Sequence, residues 1–300
     1  MSTILVTGAS GFVGGYTVPV LRALQHAVIT TDKHGDVDWR GDLTNKAFVA
    51  SLPDVDHVVH LASVQYVTRN KPLLGFQKWF YENNVVATAN LASRYPSAHF
   101  VYMATSMVFK QVSGATYTSR SARGASGPYG RSKLAAVDIV ENLDQFAILF
   151  PCIIVGRGRE GLFRPLILLL RRFGLRVYVG TDRDKISIVD VRDVAMVIGE
   201  VISKRFSGHL TISCDGQSSI KTWGEMAAQS CAVRRTWVVK IPVRFITAMA
   251  AVTGFRIMHP EQVDMIRFGH HVAPECEAAL GVSMRYSVKE SIAEMAGYIV

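Results

Sequence analysis

Tyr129 and Lys133 are the pair in this sequence whose types and spacing can do acid–base chemistry. They stand four residues apart in Tyr129-Gly130-Arg131-Ser132-Lys133, directly after Gly127-Pro128, which suits the first turn of a helix. On a helix, residues i and i+4 share one face, about 5–6 Å apart at Cβ. A lysine ammonium there favours the phenolate and predicts a phenol pKa drawn down from ~10 toward working pH. Such a tyrosine can give or take the proton of a secondary alcohol or ketone. Alone, Tyr-x-x-x-Lys is common by chance and usually marks an exposed helix face. A third candidate, Thr105, follows the apolar run Phe100-Val101-Tyr102-Met103-Ala104, and its hydroxyl can bind a substrate oxygen while Tyr129 moves the proton.

The pair gains its meaning from the beginning of the chain. Thr3-Ile4-Leu5-Val6-Thr7 is a β-branched apolar run that meets Gly8, Gly11 and Gly14, three residues apart, before a helix-like pattern. The first glycine permits a tight turn, the next lets backbone approach a phosphate, and the third lets the helix pack on the strand. A helix N-terminus then presents free N–H groups to an anion. This is a dinucleotide-binding design, spaced G-x-x-G-x-x-G. Asp32 ends the second apolar run, 24 residues beyond Gly8. Its carboxylate can accept both hydroxyls of an adenosine ribose and repels a 2′-phosphate, which favours NAD over NADP. Lys33 and His34 beside it leave a phosphate-bearing cofactor open.

Strands are expected at 4–7, 27–31, 57–60, 99–103 and 146–150, and helices at 12–25, 43–51, 76–94 and 130–143. Strands alternating with helices of this length predict an α/β fold, a doubly wound parallel sheet with helices on both faces. After Pro151 the rhythm changes. A glycine-rich loop at 156–161 leads to a basic helix at 162–173. Strands at 177–179, 186–189 and 209–212, helices at 191–203 and 223–231, and a mostly helical tail from 241 follow. The expected organisation is a Rossmann domain over 1–155 and a smaller mixed α/β substrate lobe over 156–300, partly interwoven with it.

An apolar fraction of 49% and a charged fraction of 19% describe a globular chain. No apolar run reaches the ~20 residues that span a bilayer, and the first strand starts too early for a signal peptide, so the expected location is cytoplasmic. Cys152, Cys214, Cys231 and Cys276 are scattered without a C-x-x-C pair, which reads as reduced packing thiols and no metal site. Net charge is +9, and between Arg157 and Lys185 eight Lys/Arg face three acids, a local +5. That segment is either a solvated basic face or a phosphate-attracting one. No nucleic-acid-binding pattern accompanies it.

Seven stretches, in order, resemble the extended short-chain dehydrogenase/reductases of the NAD-dependent epimerase/dehydratase group. Thr7–Gly14 resembles the family's cofactor turn, and Gly41-Asp42-Leu43 its adenine-contacting segment. His60-Leu61-Ala62-Ser63 is similar to "HLAA", and Asn83-Asn84-Val85 falls where a structural asparagine stands. Ala104–Phe109 resembles "SSxxVYG", Tyr129–Lys133 "YxxSK", and Val189–Ala195 the late "hVdDvA" stretch. The resemblance covers roughly 3–215 and implies a catalytic set of Thr105, Tyr129 and Lys133, with Lys133 also on the nicotinamide ribose. It implies a cofactor site of Gly8, Ser10, Gly11, Phe12, Val13, Gly14, Asp32, Lys33, Asp42, Leu43, Leu61, Ala62, Ser63, Asn84, Pro151 and Ile153, with Tyr129 and Lys133. Gln65, Ser106, Arg157 and Arg183 would meet the substrate. A homodimer through the helices at 76–94 and 130–143 is a further implication.

Departures from the family pattern narrow the reaction. Relatives that eliminate water place an acid directly after the catalytic hydroxyl, whereas Ser106 and Met107 follow Thr105. Reversible hydride transfer remains, as epimerisation through a transient ketone or as net reduction or oxidation. Phe109-Lys110 replaces the usual Tyr-Gly, and 118–126 lacks the usual acid. The basic segment favours a nucleotide-linked sugar as substrate, although the family arginine before "hVdDvA" is Ile186 here. A ketone of steroid or flavonoid type is the alternative, and a non-catalytic cofactor-binding scaffold the third reading.

Overall fold

A computed structural model describes residues 1–66, 68, 72, 75–159, 161, 163–179, 185–214, 216, 218–252 and 259–299, without the side chains of 249–252. The first unit runs β1 (Thr3–Thr7), α1 (Gly14–Ala23), β2 (Ala27–Asp32), β3 (Trp39–Arg40), α2 (Lys46–Ser51) and β4 (His57–His60). It continues with α3 (Phe76–Phe80), a π-helical turn at Tyr81–Val86, α4 (Ala87–Arg94), β5 (His99–Met103), β6 (Thr116–Tyr117), α5 (Pro128–Val140) and β7 (Phe146–Pro151). Then come β8 (Ile153–Val155), α6 (Phe163–Phe173), β9 (Leu175–Val179), β10 (Ile188–Asp190), α7 (Val191–Ser203) and β11 (Gly208–Ile212). The tail holds α8 (Ile220–Ser230), β12 (Trp237–Ile241), α9 (Val243–Val252), α10 (Pro260–Phe268), β13 (His271–Val272), α11 (Cys276–Leu280) and α12 (Val288–Tyr298).

Seven strands form one parallel sheet in the order β11-β7-β5-β4-β1-β2-β3. Alternation within each strand feeds two cores. Ile4, Val6, Val59 and Val101 pack with Leu21 of α1 and Val194 and Ile198 of α7. Leu5, Val58 and Phe100 face the other way, onto Leu91 of α4 and Val137 of α5. Both faces are therefore covered, which is why these strands read as unbroken apolar runs. The strand order reverses direction between β1 and β4, and this switch point opens a crevice beyond the strands' carboxyl ends.

Several expected boundaries move for local reasons. The helix expected from 12 starts at Gly14, because the glycine turn occupies the preceding residues. The helix expected from 43 starts at Lys46, where Asn45 Oδ1 accepts from Ala47 N and Phe48 N as an N-cap. The expected helix 76–94 is continuous but widens at Tyr81–Val86. The sequence pattern does not predict the short strands β3, β6, β8, β12 and β13: each is only two to five residues long, and all but β3, which pairs with β2, are defined by a partner distant in the chain. A division at 155 cuts the first unit's own sheet: α7 packs on α1, and β11 pairs with β7 from Gly208↔Ala147 to Ile212↔Pro151.

The second unit has its own core, in which Val155, Ile167, Leu170, Trp223, Ile266, Ile292 and Met295 meet. Asp193, fully buried on α7, fastens the tail to the first unit by accepting from Arg285 N at 3.0 Å and Tyr286 N at 3.2 Å. Replacing it by alanine strands two amide donors. Asp193→Ala is expected to lower the free energy of urea unfolding by roughly 3 kcal/mol.

Candidate active site

The turn after β1 is made by backbone approaching backbone. Gly8 has φ +68°, and a Cβ there would stand 2.6 Å from Ala62 N at the end of β4. Gly14 packs against the Gly8 carbonyl and Ala9 with no room for a side chain, so α1 begins directly over the turn. No side chain caps that helix start. A cradle that a Cβ would fill, under an uncapped helix N-terminus, fits the pyrophosphate of a dinucleotide. At its edge Asp32 Oδ2 accepts from Ser10 N at 3.2 Å and Ser10 Oγ at 2.7 Å, while Oδ1 accepts from Lys33 N at 2.7 Å. Lys33 Nζ pairs with Asp42 Oδ2 at 3.0 Å and donates to Asn83 Oδ1 at 2.8 Å.

From this turn a cleft of about 680 Å³ runs along the sheet's carboxyl edge and into the second unit. Gly8, Ser10, Gly11, Phe12, Val13, Gly14, Asp32, Lys33, Asp42, Leu43, Leu61, Ala62 and Ser63 all line it. So do Gln65, Thr105, Ser106, Tyr129, Lys133 and Ile153. The sequence therefore marks one continuous surface, drawn from five strand ends and the start of α5.

Pro128 at the head of α5 starts the helix that carries Tyr129 and Lys133. Lys133 is 2% exposed; its Nζ donates to Met103 O at 2.6 Å and lies 4.3 Å from the centre of the Tyr102 ring. Burial pushes its pKa down to about 7. Tyr129, 6% exposed, sits among Tyr66 and Phe80. Burial first, then the Glu261 carboxylate, push its phenol well above the ordinary range, while Arg159 and hydrogen bonds with Thr105 and Ser63 pull the other way. This corrects the sequence expectation. Lys133 Nζ is bonded to Met103 O, and the surroundings hold Tyr129 as the neutral phenol. Thr105 Oγ1 accepts from Met107 N at 3.3 Å, which fixes the 3-10 turn at Ser106–Val108.

Glu261, 4% exposed on α10, is the group that sequence reading missed. Its Oε2 accepts from Tyr66 Oη at 2.6 Å and its Oε1 from Gly130 N at 2.9 Å, so a carboxylate from the second unit caps the N-terminus of α5. A side chain at Gly127 or Gly130 would collide with it. The only sequence trace is the pair of glycines flanking Tyr129.

Other expected site residues sit elsewhere. Asn84 is 1% exposed and does not line the cleft: its Oδ1 accepts from Val64 N at 2.9 Å and its Nδ2 donates to Ser132 Oγ at 3.0 Å, tying the loop after β4 to α5. Its neighbour Asn83, in the same π-helical turn, lines the cleft instead. Pro151 is buried in β7, and Cys152 takes its place on the lining. Arg157 is exposed over the Tyr298 ring, whereas Arg159 enters the cleft over Phe12. Ser106 touches the cleft, but its hydroxyl is bonded to His270 Nε2 at 2.7 Å. Arg183 lies outside the described residues.

Residues 4–211 match the family described as NAD dependent epimerase/dehydratase family. The chain belongs to that family. Among curated relatives, a UDP-glucose 4-epimerase of Caenorhabditis elegans is 31% identical over 43% of this chain and 46% of its own length. UDP-glucose 4-epimerase 2 of Arabidopsis thaliana is 24% identical over 71% of this chain and 74% of its length. The chain thus spans about half the length of the first of these relatives. Of solved structures, MoeE5 in complex with UDP-glucuronic acid and NAD superposes with a TM-score of 0.78 at 22% identity, over 99% of this chain and 98% of that one. Human SDR39U1 with NADPH gives 0.80 at 18% identity, over 99% of both chains. Family membership accounts for the doubly wound sheet and for the nucleotide turn; of the two superposed structures, one holds NAD and the other NADPH.

The buried lysine has a measurable signature. The folded protein releases the Lys133 proton near pH 7, whereas the unfolded chain holds it to about 10.5. Above pH 7 the unfolded state binds more protons, so this site's contribution to stability rises with pH. In urea unfolding of ligand-free protein, Lys133→Met is expected to be more stable than wild type at about pH 6, with the difference shrinking by about pH 9.

Proposed function

We propose that this chain is a nicotinamide-dependent enzyme that moves hydride reversibly between its cofactor and a secondary alcohol or ketone, with Tyr129 as general acid/base. The observation that carries this reading is that Tyr129, Lys133, Thr105 and Ser63 line one cleft that begins at the glycine turn, with Tyr129 and Lys133 on the first turns of α5. NAD supplies the hydride acceptor or donor when bound. Gly8 and Gly14 would admit its pyrophosphate, and the Asp32 carboxylate favours a free ribose diol, hence NAD before NADP. Lys133 would hold the ribose beside Tyr129.

The electrostatics match the proton's path. Burial and the Glu261 carboxylate hold Tyr129 as a neutral phenol, which can protonate an alkoxide as a ketone is reduced. The reverse reaction needs the phenolate, which the Arg159 guanidinium and the Thr105 and Ser63 hydroxyls stabilise. Thr105 orients the substrate oxygen. Epimerisation of a nucleotide-linked sugar is the form of this chemistry carried by the names of the relatives. Net reduction of a ketone is the form favoured by the hydrocarbon lining of the cleft's second-unit end.

Tyr129→Phe is expected to lower kcat roughly 10³-fold with nicotinamide cofactor affinity retained. Undiminished turnover would overturn the assignment. Glu261→Gln keeps an acceptor for Gly130 N but removes a negative charge near the phenol, so the Tyr129 pKa falls. The rising limb of the kcat/KM profile for alcohol oxidation is then expected at lower pH than in wild type.

A further inference from the structure

The second unit carries a surface that neither the cleft nor the core explains. β12 is the run Trp237-Val238-Val239-Lys240-Ile241, without the apolar–polar alternation of a half-buried strand. It pairs along one edge with β9, from Trp237↔Leu175 to Ile241↔Val179, and no further strand joins it among the described residues. Trp237 is 72% exposed, and Val238 and Val239, on opposite faces of the strand, are exposed as well. Phe173, 61% exposed at the end of α6, stands beside them, since Trp237 N donates to Gly174 O at 2.7 Å. At the other end, α9 packs Val243 and Ile246 against the second core and leaves Arg244 and Phe245 outside. Ten large apolar side chains are exposed among the described residues, and five of them lie on this strip. Hydrophobic residues exposed singly are ordinary, whereas a band of them marks a docking surface.

The charge around the band selects the partner. Arg171, Arg172, Arg234, Arg235, Lys240 and Arg244 are all exposed along it. Between Glu225 and Glu261 the chain holds five Lys/Arg and no acid. Both bounding acids are engaged elsewhere: Glu225 Oε1 pairs with Arg176 Nη1 at 3.1 Å, and Glu261 is buried against Tyr66. A second copy pairing through the same strip would bring like charges together. A nucleic acid would meet the cations but gain little from Val238 and Val239, on which no base stacks. An anionic bilayer surface rewards both features. Its headgroups attract Lys and Arg, while an indole, a phenyl ring and two valines enter the boundary between headgroups and acyl chains. Contact of this kind needs no spanning segment, and no helix among the described residues is long and apolar enough to cross a membrane.

We propose that the strip from Phe173 through β12 to Phe245 docks the protein on a membrane surface rich in anionic lipid. Trp237 sits at the headgroup boundary, where an amphipathic ring is at home, and the flanking arginines meet lipid phosphates. The same cations keep the open edge of β12 from pairing with other chains in water.

The test is co-sedimentation of the full chain with vesicles of phosphatidylcholine alone, or of phosphatidylcholine and phosphatidylglycerol in equal parts. Tryptophan emission is read on the same samples. Binding to the anionic vesicles is expected to be at least about tenfold tighter than to the neutral ones, to weaken in about 0.5 M salt, and to shift the emission to the blue. Trp237→Ala is expected to weaken binding on the order of tenfold and to remove the blue shift. Arg234→Gln combined with Arg235→Gln is expected to weaken it by a similar factor while the shift persists at saturating lipid. All three positions are exposed, so thermal unfolding of both variants is expected to match wild type. Absence of binding, equal binding to the two vesicle types, binding indifferent to Trp237→Ala, or salt-sensitive binding without a blue shift each overturns the proposal. So does a dimer in sedimentation velocity that Trp237→Ala dissolves, which assigns the strip to a second copy. Binding of single-stranded DNA without binding of vesicles overturns it in favour of nucleic acid.

Discussion

The closest constraint in this protein is the contact of Gly8 with the backbone of Leu61 and Ala62. Two neighbouring parallel strands, β1 and β4, end at the same level and turn away from each other, and the left-handed glycine lets the two chain segments nearly touch there. Much else follows from that contact. It sets where α1 may begin, leaves the helix N-terminus bare, and brings Ser63 to the same edge of the sheet as Thr105. A side chain at position 8 would push the strand ends apart and widen the cleft where it must grip most closely.

Around this scaffold the titratable groups are tuned by burial more than by one another. Lys133 is pushed toward neutrality because it lies beneath the sheet's edge with a carbonyl and an aromatic ring for company. His60, bonded to Thr7 Oγ1 at 2.7 Å and Thr88 Oγ1 at 3.0 Å, is pushed down to about 3 and stays neutral as a structural brace. Tyr129 goes the other way, its acidity suppressed by the same burial and by Glu261. The result is a reaction centre whose resting charge is small.

What the sequence made legible was local in origin. The parallel strands announced themselves as apolar runs, and the glycine spacing, Asp32 and the Tyr129–Lys133 pair fall together on one cleft because each depends on residues close in the chain. What stayed hidden depends on pairings across long separations. Glu261 lies 131 residues from Gly130, whose amide it caps. The short strands β12 and β13 exist only through β9 and β6. Asn83, and not Asn84, reaches the cleft, a choice made within the π-helical turn that a helix-period pattern does not reveal. The charge of the segment 157–185 was readable, but its direction was not: α6 is amphipathic, and most of its arginines point outward.

The cap on α5 has a mechanical side as well. Glu261 belongs to α10, part of the tail, whereas the tyrosine whose proton affinity it raises belongs to the nucleotide unit. Proton affinity and the closeness of the two units are consequently conjugate quantities. Drawing α10 away from α5 would withdraw the carboxylate and make the phenol more acidic, and by reciprocity a phenolate weakens the grip of α10 on α5.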